Sequence, residues 1–243
     1  MSDFLIEQAD AVLRVTINHP ERGNGMTDDM AVELTRIIDG AAKTASVMVL
    51  RGAGDDFCIG RARGPGGPPQ MKDALERREA SDVIFNCYGA FRRAPIPIIG
   101  VVKGRALGFG CALASLCDIT IAGENAQFQV PEYAHSIMPT MVMSALVDRV
   151  SRKTLSYLVY STATIDAQRA LICGIASEVV PEAQLDEAVD KLCRGILKAP
   201  RSATEAVKEY VVSAPDMSVP GAVDFARNLH ATVNSAIEAR AKR

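Results

Sequence analysis

The chain has 243 residues, 27 Lys and Arg against 29 Asp and Glu, and a formal net charge of −2. Without a basic excess, nucleic acid is not an expected partner, and neither is a membrane surface. A composition that is 48% hydrophobic and 23% charged is that of an ordinary globular protein; at this length roughly 70–75% of the unfolded surface is buried on folding, which excludes disorder as the governing state.

β-Branched runs at Phe4–Ile6, Ala11–Ile17 and Ser46–Arg51 predict three strands, and apolar residues at helical spacing over Thr27–Ala42 predict a helix between the last two. The glycine- and proline-rich stretch that follows, GAGDDFCIGRARGPGGPPQ, reads as a loop. A polar helix is expected from about Met71 to Arg93, then a strand from Pro97 to Val102. The turn GRALGFG leads from that strand into the helix CALASLCD. A strand at Ile119–Ala122, the segment Ala126–Val130 and a methionine-bearing helical stretch over Ile137–Arg149 come next. Asp166 and Gly174 bracket another helix as cap and stop, with a strand at Ile175–Val180 behind it. From Gln184 to Arg243 helical periodicity dominates. The chain is therefore read as α/β, with a core over residues 1–183 and a helical subdomain over 184–243.

Six cysteines (58, 87, 111, 117, 173 and 193) show neither a C-x-x-C pair nor a neighbouring His cluster. They read as reduced core residues rather than a zinc site or disulfide framework. The first residues, MSDFLIEQAD, lack the basic and apolar regions of a signal peptide, and no apolar run approaches the ~20 residues of a membrane helix. A soluble cytoplasmic protein is the expectation.

Two glycine turns are candidate sites for negative charge, because backbone amides at a helix start carry positive potential. The first is Phe57-Cys58-Ile59-Gly60-Arg61 and the second Gly104-Arg105-Ala106-Leu107-Gly108-Phe109-Gly110. Neither fits a phosphate loop, and Leu113 stands where a dinucleotide fingerprint needs its last glycine. Close packing of strand on helix is the alternative use of Gly108 and Gly110. Glu132 lies in FQVPEYAHSIMPTMV with no Lys or Arg within eight positions. A buried, unpaired carboxylate would have the raised pKa that acid/base chemistry near neutrality requires, whereas an acid placed after Pro131 would simply favour a helix start. His135 follows one helical turn later.

The segments INHPERGNGMT, VMVLRGAGDDFCIG, APIPIIGVVKGRALGFGCALASLCDITIAGENAQFQVPE and IDAQRALICGIASEVVP together resemble the crotonase (enoyl-CoA hydratase/isomerase) superfamily over nearly the whole chain. The resemblance implies a spiral of repeated ββα units with a C-terminal helical subdomain. It also implies an acyl-CoA thioester substrate, with the backbone amides of Arg61 and Phe109 as an oxyanion hole for the thioester carbonyl. Hydratases of that family use two glutamates; here Ala112 occupies the first position and Glu132 the second. A single glutamate resembles the isomerases, in which one carboxylate shuttles a proton, so double-bond isomerisation of an enoyl-CoA is the expected reaction. Hydration, hydrolysis of a cyclic β-keto acyl-CoA, and a non-catalytic acyl-CoA-binding role are the alternatives.

By the same resemblance Arg22 would lie near the nucleotide phosphates of coenzyme A, with Ile59, Gly60, Gly108 and Gly110 along the substrate. His135 and Tyr133 fall near the expected pocket and are candidates for the role that Ala112 cannot take, a packed or rim position being the alternative for His135. Departures from the family pattern at Arg61-Ala62, at Thr140 and in the GPGGPP insertion imply an unusual acyl group. No metal or other cofactor is implied, coenzyme A being part of the substrate. A homotrimer or homohexamer assembled through the C-terminal helices is the implied oligomer.

Overall fold

A computed structural model of the chain describes residues 2–62 and 73–235. The expected GPGGPP loop, the first residues of the helix placed at Met71, and the C-terminal IEARAKR segment lie outside these residues.

Six strands form the principal sheet, in the order β1 (Phe4–Ala9), β2 (Val12–Ile17), β3 (Val47–Gly52), β4 (Ile98–Val102), β6 (Ile119–Gly123) and β9 (Glu178–Val180). β1 pairs antiparallel with β2 and every later pair is parallel. Both faces of the central strands are covered, which is why β3 and β4 read as continuous apolar runs. Met48, Leu50, Ile98 and Val102 face the main core, while Val47, Val49, Ile99 and Val101 face a second one. Helix α1 (Asp28–Ala41) buries Met30, Leu34 and Ile38 in the main core, and Thr27 caps it by accepting the Met30 N–H.

A smaller sheet joins β5 (Arg105–Leu107), β7 (Gln127–Gln129) and β8 (Ile165–Asp166). Two isolated parallel bridges, Cys58 with Ala106 and Met26 with Arg61, extend it. The repeat then becomes visible: a long strand in the first sheet, a short extended segment in the second, and a helix. It recurs as β2, Met26 and α1, then as β3, Cys58–Arg61 and α2 (Ala74–Arg93). The next two turns are β4, β5 and α3 (Phe109–Leu116), and β6, β7 and α4 (Thr140–Leu146). This is the crotonase-like spiral of ββα units, with helices at the C-terminal end. Connections of unequal length conceal it from any search for a fixed sequence period.

Several expected elements are corrected in detail. The stretch 104–110 contains β5 rather than being a turn alone. The helix expected over 137–149 begins only at Thr140, because Pro139 disfavours helical backbone at Met138 before it. The strand expected over 175–180 is confined to Glu178–Val180, since Ile175 and Ala176 still bond back to the carbonyl of Ala170, ending α6 (Ala167–Cys173) beyond Gly174. Helix α5 (Arg152–Ser161) was not anticipated, although Ser151, which caps it by accepting the Thr154 N–H, is its sequence signal.

Helix α7 (Leu185–Ile196) covers the second core with Leu185, Val189 and Cys193. α8 (Arg201–Ser213) is anchored by Lys208, whose buried ammonium donates to both carboxylate oxygens of Asp118 at 2.5 and 2.6 Å and to the Phe91 carbonyl. α9 (Val219–Ser235) packs on α8 through Tyr210 and Phe225, stacked at 5.9 Å. Among the described residues, no helix is long and apolar enough to cross a membrane. Five of the cysteines are buried and Cys173 is half-buried, and all six are free.

Candidate active site

The two glycine turns are joined to each other. Cys58 N–H donates to the Arg105 carbonyl at 3.1 Å, and Leu107 N–H donates to the Cys58 carbonyl at 2.9 Å. Helix α3 then sits directly on the first turn: a Cβ added to Gly110 would lie 2.0 Å from the Cys58 carbonyl oxygen. Close packing is thus a real function of Gly110, and it brings the start of α3 against the first turn.

That contact sets two backbone amides in place. The Met26 N–H donates to the Gly60 carbonyl, and the Ala62 N–H donates to the Met26 carbonyl. In a parallel bridge of this kind Arg61 is spanned by its two neighbours, so its own N–H points away from Met26. Phe109 is the first residue of α3, where an N–H has no intrahelical acceptor and the helix dipole adds positive potential. The Arg61 side chain is committed elsewhere, in a two-point pair with Asp28 at 2.8 and 2.7 Å. Such an exposed pair is worth only ~0.2–1 kcal/mol, so the ladder of backbone bonds, and not this pair, holds the turn.

Glu132 begins a 3-10 turn, Glu132–His135, after Pro131. The turn is brought to α3 by β7, which runs parallel to β5 and whose Gln129 carbonyl accepts the Gly108 N–H at 2.9 Å. Gly108 has φ +51°, and a Cβ there would lie 2.6 Å from Glu132 Oε1. The carboxylate therefore rests on the residue that precedes the Phe109 amide. Glu132 Oε2 is buried with no hydrogen-bond partner. Burial pushes the carboxyl above its usual range, opposed by a hydrogen bond from its own backbone N–H and by the charge of His135. Both readings of Glu132 hold in part: it does start a helical turn, and it is also a desolvated acid.

Ala112 is buried in α3, its N–H bonded to the Gly108 carbonyl at 3.0 Å, and it leaves an apolar wall. Cys58 and Cys111 are buried in the same core, and burial pushes both thiols up to about 12, which removes them as thiolate nucleophiles. His135 and Tyr133 are exposed, with Tyr133 packed edge-on to Tyr160. Met141 and Met143 pack on the main core, Met138 is exposed, and Thr140 is exposed at the start of α4. Arg22 closes the Pro20–Arg22 turn, next to Gly23, whose carbonyl accepts the Ile59 N–H at 2.9 Å. The structure thus brings Arg22, Ile59 and Gly60 to one edge of the first turn.

Two residues escaped the sequence reading. Asn24 is fully buried at φ +57°, accepts the His19 N–H at 2.9 Å, and donates to the carbonyls of Ala53 and Asp56 at 2.8 and 2.7 Å. It ties the Arg22 turn to the first glycine loop. Its signal was the N-G dipeptide in PERGNGMT, a left-handed turn pattern. Asn24→Ala is expected to cost about 1–3 kcal/mol, because it leaves three half-buried backbone groups without their partner, and to show as a fall of several degrees in Tm on thermal unfolding. Tyr88, on α2, is buried with its hydroxyl unpartnered and its ring 5.4 Å from that of Phe109. Nothing in its local sequence marks it.

The sequence pattern described as enoyl-CoA hydratase/isomerase matches residues 7–241. The chain is 28% identical over 235 residues to the 2,3-dehydroadipyl-CoA hydratase of Escherichia coli (strain K12), covering 94% of this chain and 89% of that protein. Of solved structures, an enoyl-CoA hydratase from Mycobacterium smegmatis is similar in fold, with a TM-score of 0.90 at 22% identity, covering 98% of this chain and 93% of that one. A Thermobifida fusca YX protein solved in complex with acetoacetyl-CoA is 30% identical with a TM-score of 0.84, covering 95% of this chain and 94% of that one. With a match across nearly its whole length and a fold in agreement, the chain belongs to the enoyl-CoA hydratase/isomerase family.

Proposed function

We propose that this protein binds an acyl-CoA thioester, polarises its carbonyl with the amides of Arg61 and Phe109, and moves a proton with Glu132. One observation carries the reading: a desolvated carboxylate with an unpaired oxygen lies against Gly108, the residue before the Phe109 amide. Charge that develops on a thioester oxygen as an enolate forms is stabilised by preorganised amides at a helix start. The proton lost from carbon needs a base close by, and a carboxyl raised toward neutrality is suited to accept it and return it. The Thermobifida fusca relative, solved with acetoacetyl-CoA, supports the ligand class.

Double-bond isomerisation is the reaction we favour. Ala112 leaves no second carboxylate to orient water, and a shuttle between two carbons needs only one base. Arg22, at the rim beside Ile59 and Gly60, is assigned to the coenzyme A phosphates, with no metal or redox cofactor required. Exposed apolar residues on α8 and α9, including Val207, Val211, Val219 and Val223, support assembly as a homotrimer or homohexamer through this layer.

Mass spectrometry in deuterated water, on a panel of 2-enoyl, 3-enoyl and cyclic β-keto acyl-CoAs, tests the reading. Deuterium gain without addition of water is the expected result. A mass gain of one water would assign hydration or hydrolysis instead, and tight binding with neither change would identify a non-catalytic relative.

A further inference from the structure

Tyr88 is 2% exposed, yet its hydroxyl has no hydrogen-bond partner. It sits on α2 with its ring tilted 41° against that of Phe109, whose amide heads α3. Glu132, whose carboxylate lies against Gly108 just before that amide, carries a second buried oxygen without a partner, Oε2. Burial first, and then the neighbouring Cys87 and Glu132, hold the phenol well above its ordinary range, so it remains protonated and offers a proton to an acceptor. The polar residues that the sequence suggested in place of the missing second glutamate, Tyr133 and His135, are exposed, whereas Tyr88 is enclosed with Phe109.

We propose that the Tyr88 hydroxyl is a specificity-determining donor that recognises an oxygen, hydroxyl or oxo, on the acyl chain close to the thioester. The inference rests on the acyl-CoA reading given above and names the substrate class within it. A purely hydrocarbon chain would leave the buried O–H unpaired, and unpaired buried polar groups are what make a site reject a ligand that lacks the matching atom. An oxygenated chain would satisfy it. Tyr88 takes no proton in this scheme, and the base remains Glu132.

Calorimetric titration of wild type and Tyr88→Phe with acetoacetyl-CoA and with butyryl-CoA, which share a chain length and differ in the oxo group, tests the proposal. Wild type is expected to bind acetoacetyl-CoA roughly 10–100-fold more tightly than butyryl-CoA. Tyr88→Phe should erase that preference by weakening acetoacetyl-CoA alone, and the unliganded variant should melt at the same or a higher temperature, since it loses an unpaired buried hydroxyl. A preference kept in the variant, or absent from wild type, would overturn the proposal. So would an equal loss of both esters with a lowered Tm, which would mark Tyr88 as a packing residue. Failure of wild type to bind either ester would reject the acyl-CoA reading itself.

Discussion

Glu132→Gln is expected to reduce turnover by roughly 10²–10⁴-fold while leaving acyl-CoA binding nearly intact, because the amide keeps the shape of the carboxyl and cannot take up a proton. The signature is a fall in kcat with little change in the affinity for a non-reacting ester. Unchanged turnover would remove Glu132 from the mechanism. In wild type the ionised form is the base, so kcat/KM should fall on the acid side with a one-proton midpoint above the ordinary glutamate range, the direction in which burial moves this carboxyl. Stability should respond in the opposite sense. A folded-state pKa raised above the unfolded value means that the native protein binds this proton more tightly. The group's stabilising contribution is therefore complete below about pH 4 and is lost as the pH rises through the folded value. Glu132→Gln is thus expected to melt above wild type at neutral pH and to converge with it in acid. Thermal unfolding at the two pH values checks this.

Gly110→Ala is expected to produce a loss of comparable size by a different route. The added Cβ would lie 2.0 Å from the Cys58 carbonyl oxygen, a backbone atom held in place because it accepts the Leu107 N–H. Relief requires α3 to move off the first turn, which separates the Phe109 amide from the Arg61 amide. Losing one such donor typically costs ~2.7–4 kcal/mol of barrier, or roughly 10²–10³ in kcat. The overpacking itself adds about 1–3 kcal/mol of destabilisation. Steady-state kinetics at a temperature where circular dichroism shows the variant folded separates the two effects. Full activity in a folded Gly110→Ala protein would show that the contact between turn and helix does not position the donors.

Much of the architecture was legible because local patterns and tertiary needs agree. The alternation of apolar strands and capped helices placed β1 to β4, α1 and α6 within a few residues, as with Asp166, whose carboxylate accepts the Arg169 N–H at 2.7 Å as the cap of α6. The apolar runs of β3 and β4 read as strands, and the structure shows both of their faces covered. Elements whose existence depends on a partner were harder to see. The three-residue β5 and β7 have too few residues for a period, and exist because Gly104–Gly108, Cys58 and Gln129 line up side by side. The apolar residues over 137–149 suggest a helix from Ile137, and Pro139 moves its start to Thr140.

What the sequence determined alone was the inventory: a globular α/β chain with free cysteines, two glycine turns, and an isolated glutamate in an apolar stretch without Lys or Arg. Those are properties of composition and short-range spacing, and they survive in any arrangement of the chain. Only the tertiary structure decided which of them meet. It set the start of α3 on the first turn through Gly110, laid the Glu132 carboxylate against Gly108, and turned Tyr133 and His135 outward. It also enclosed the hydroxyl of Tyr88, which had carried no signal, beside Phe109. Desolvation is the physical reason, since a carboxyl or a phenol acquires its unusual protonation and its demand for a partner from what surrounds it. Those surroundings are assembled from segments far apart in the chain.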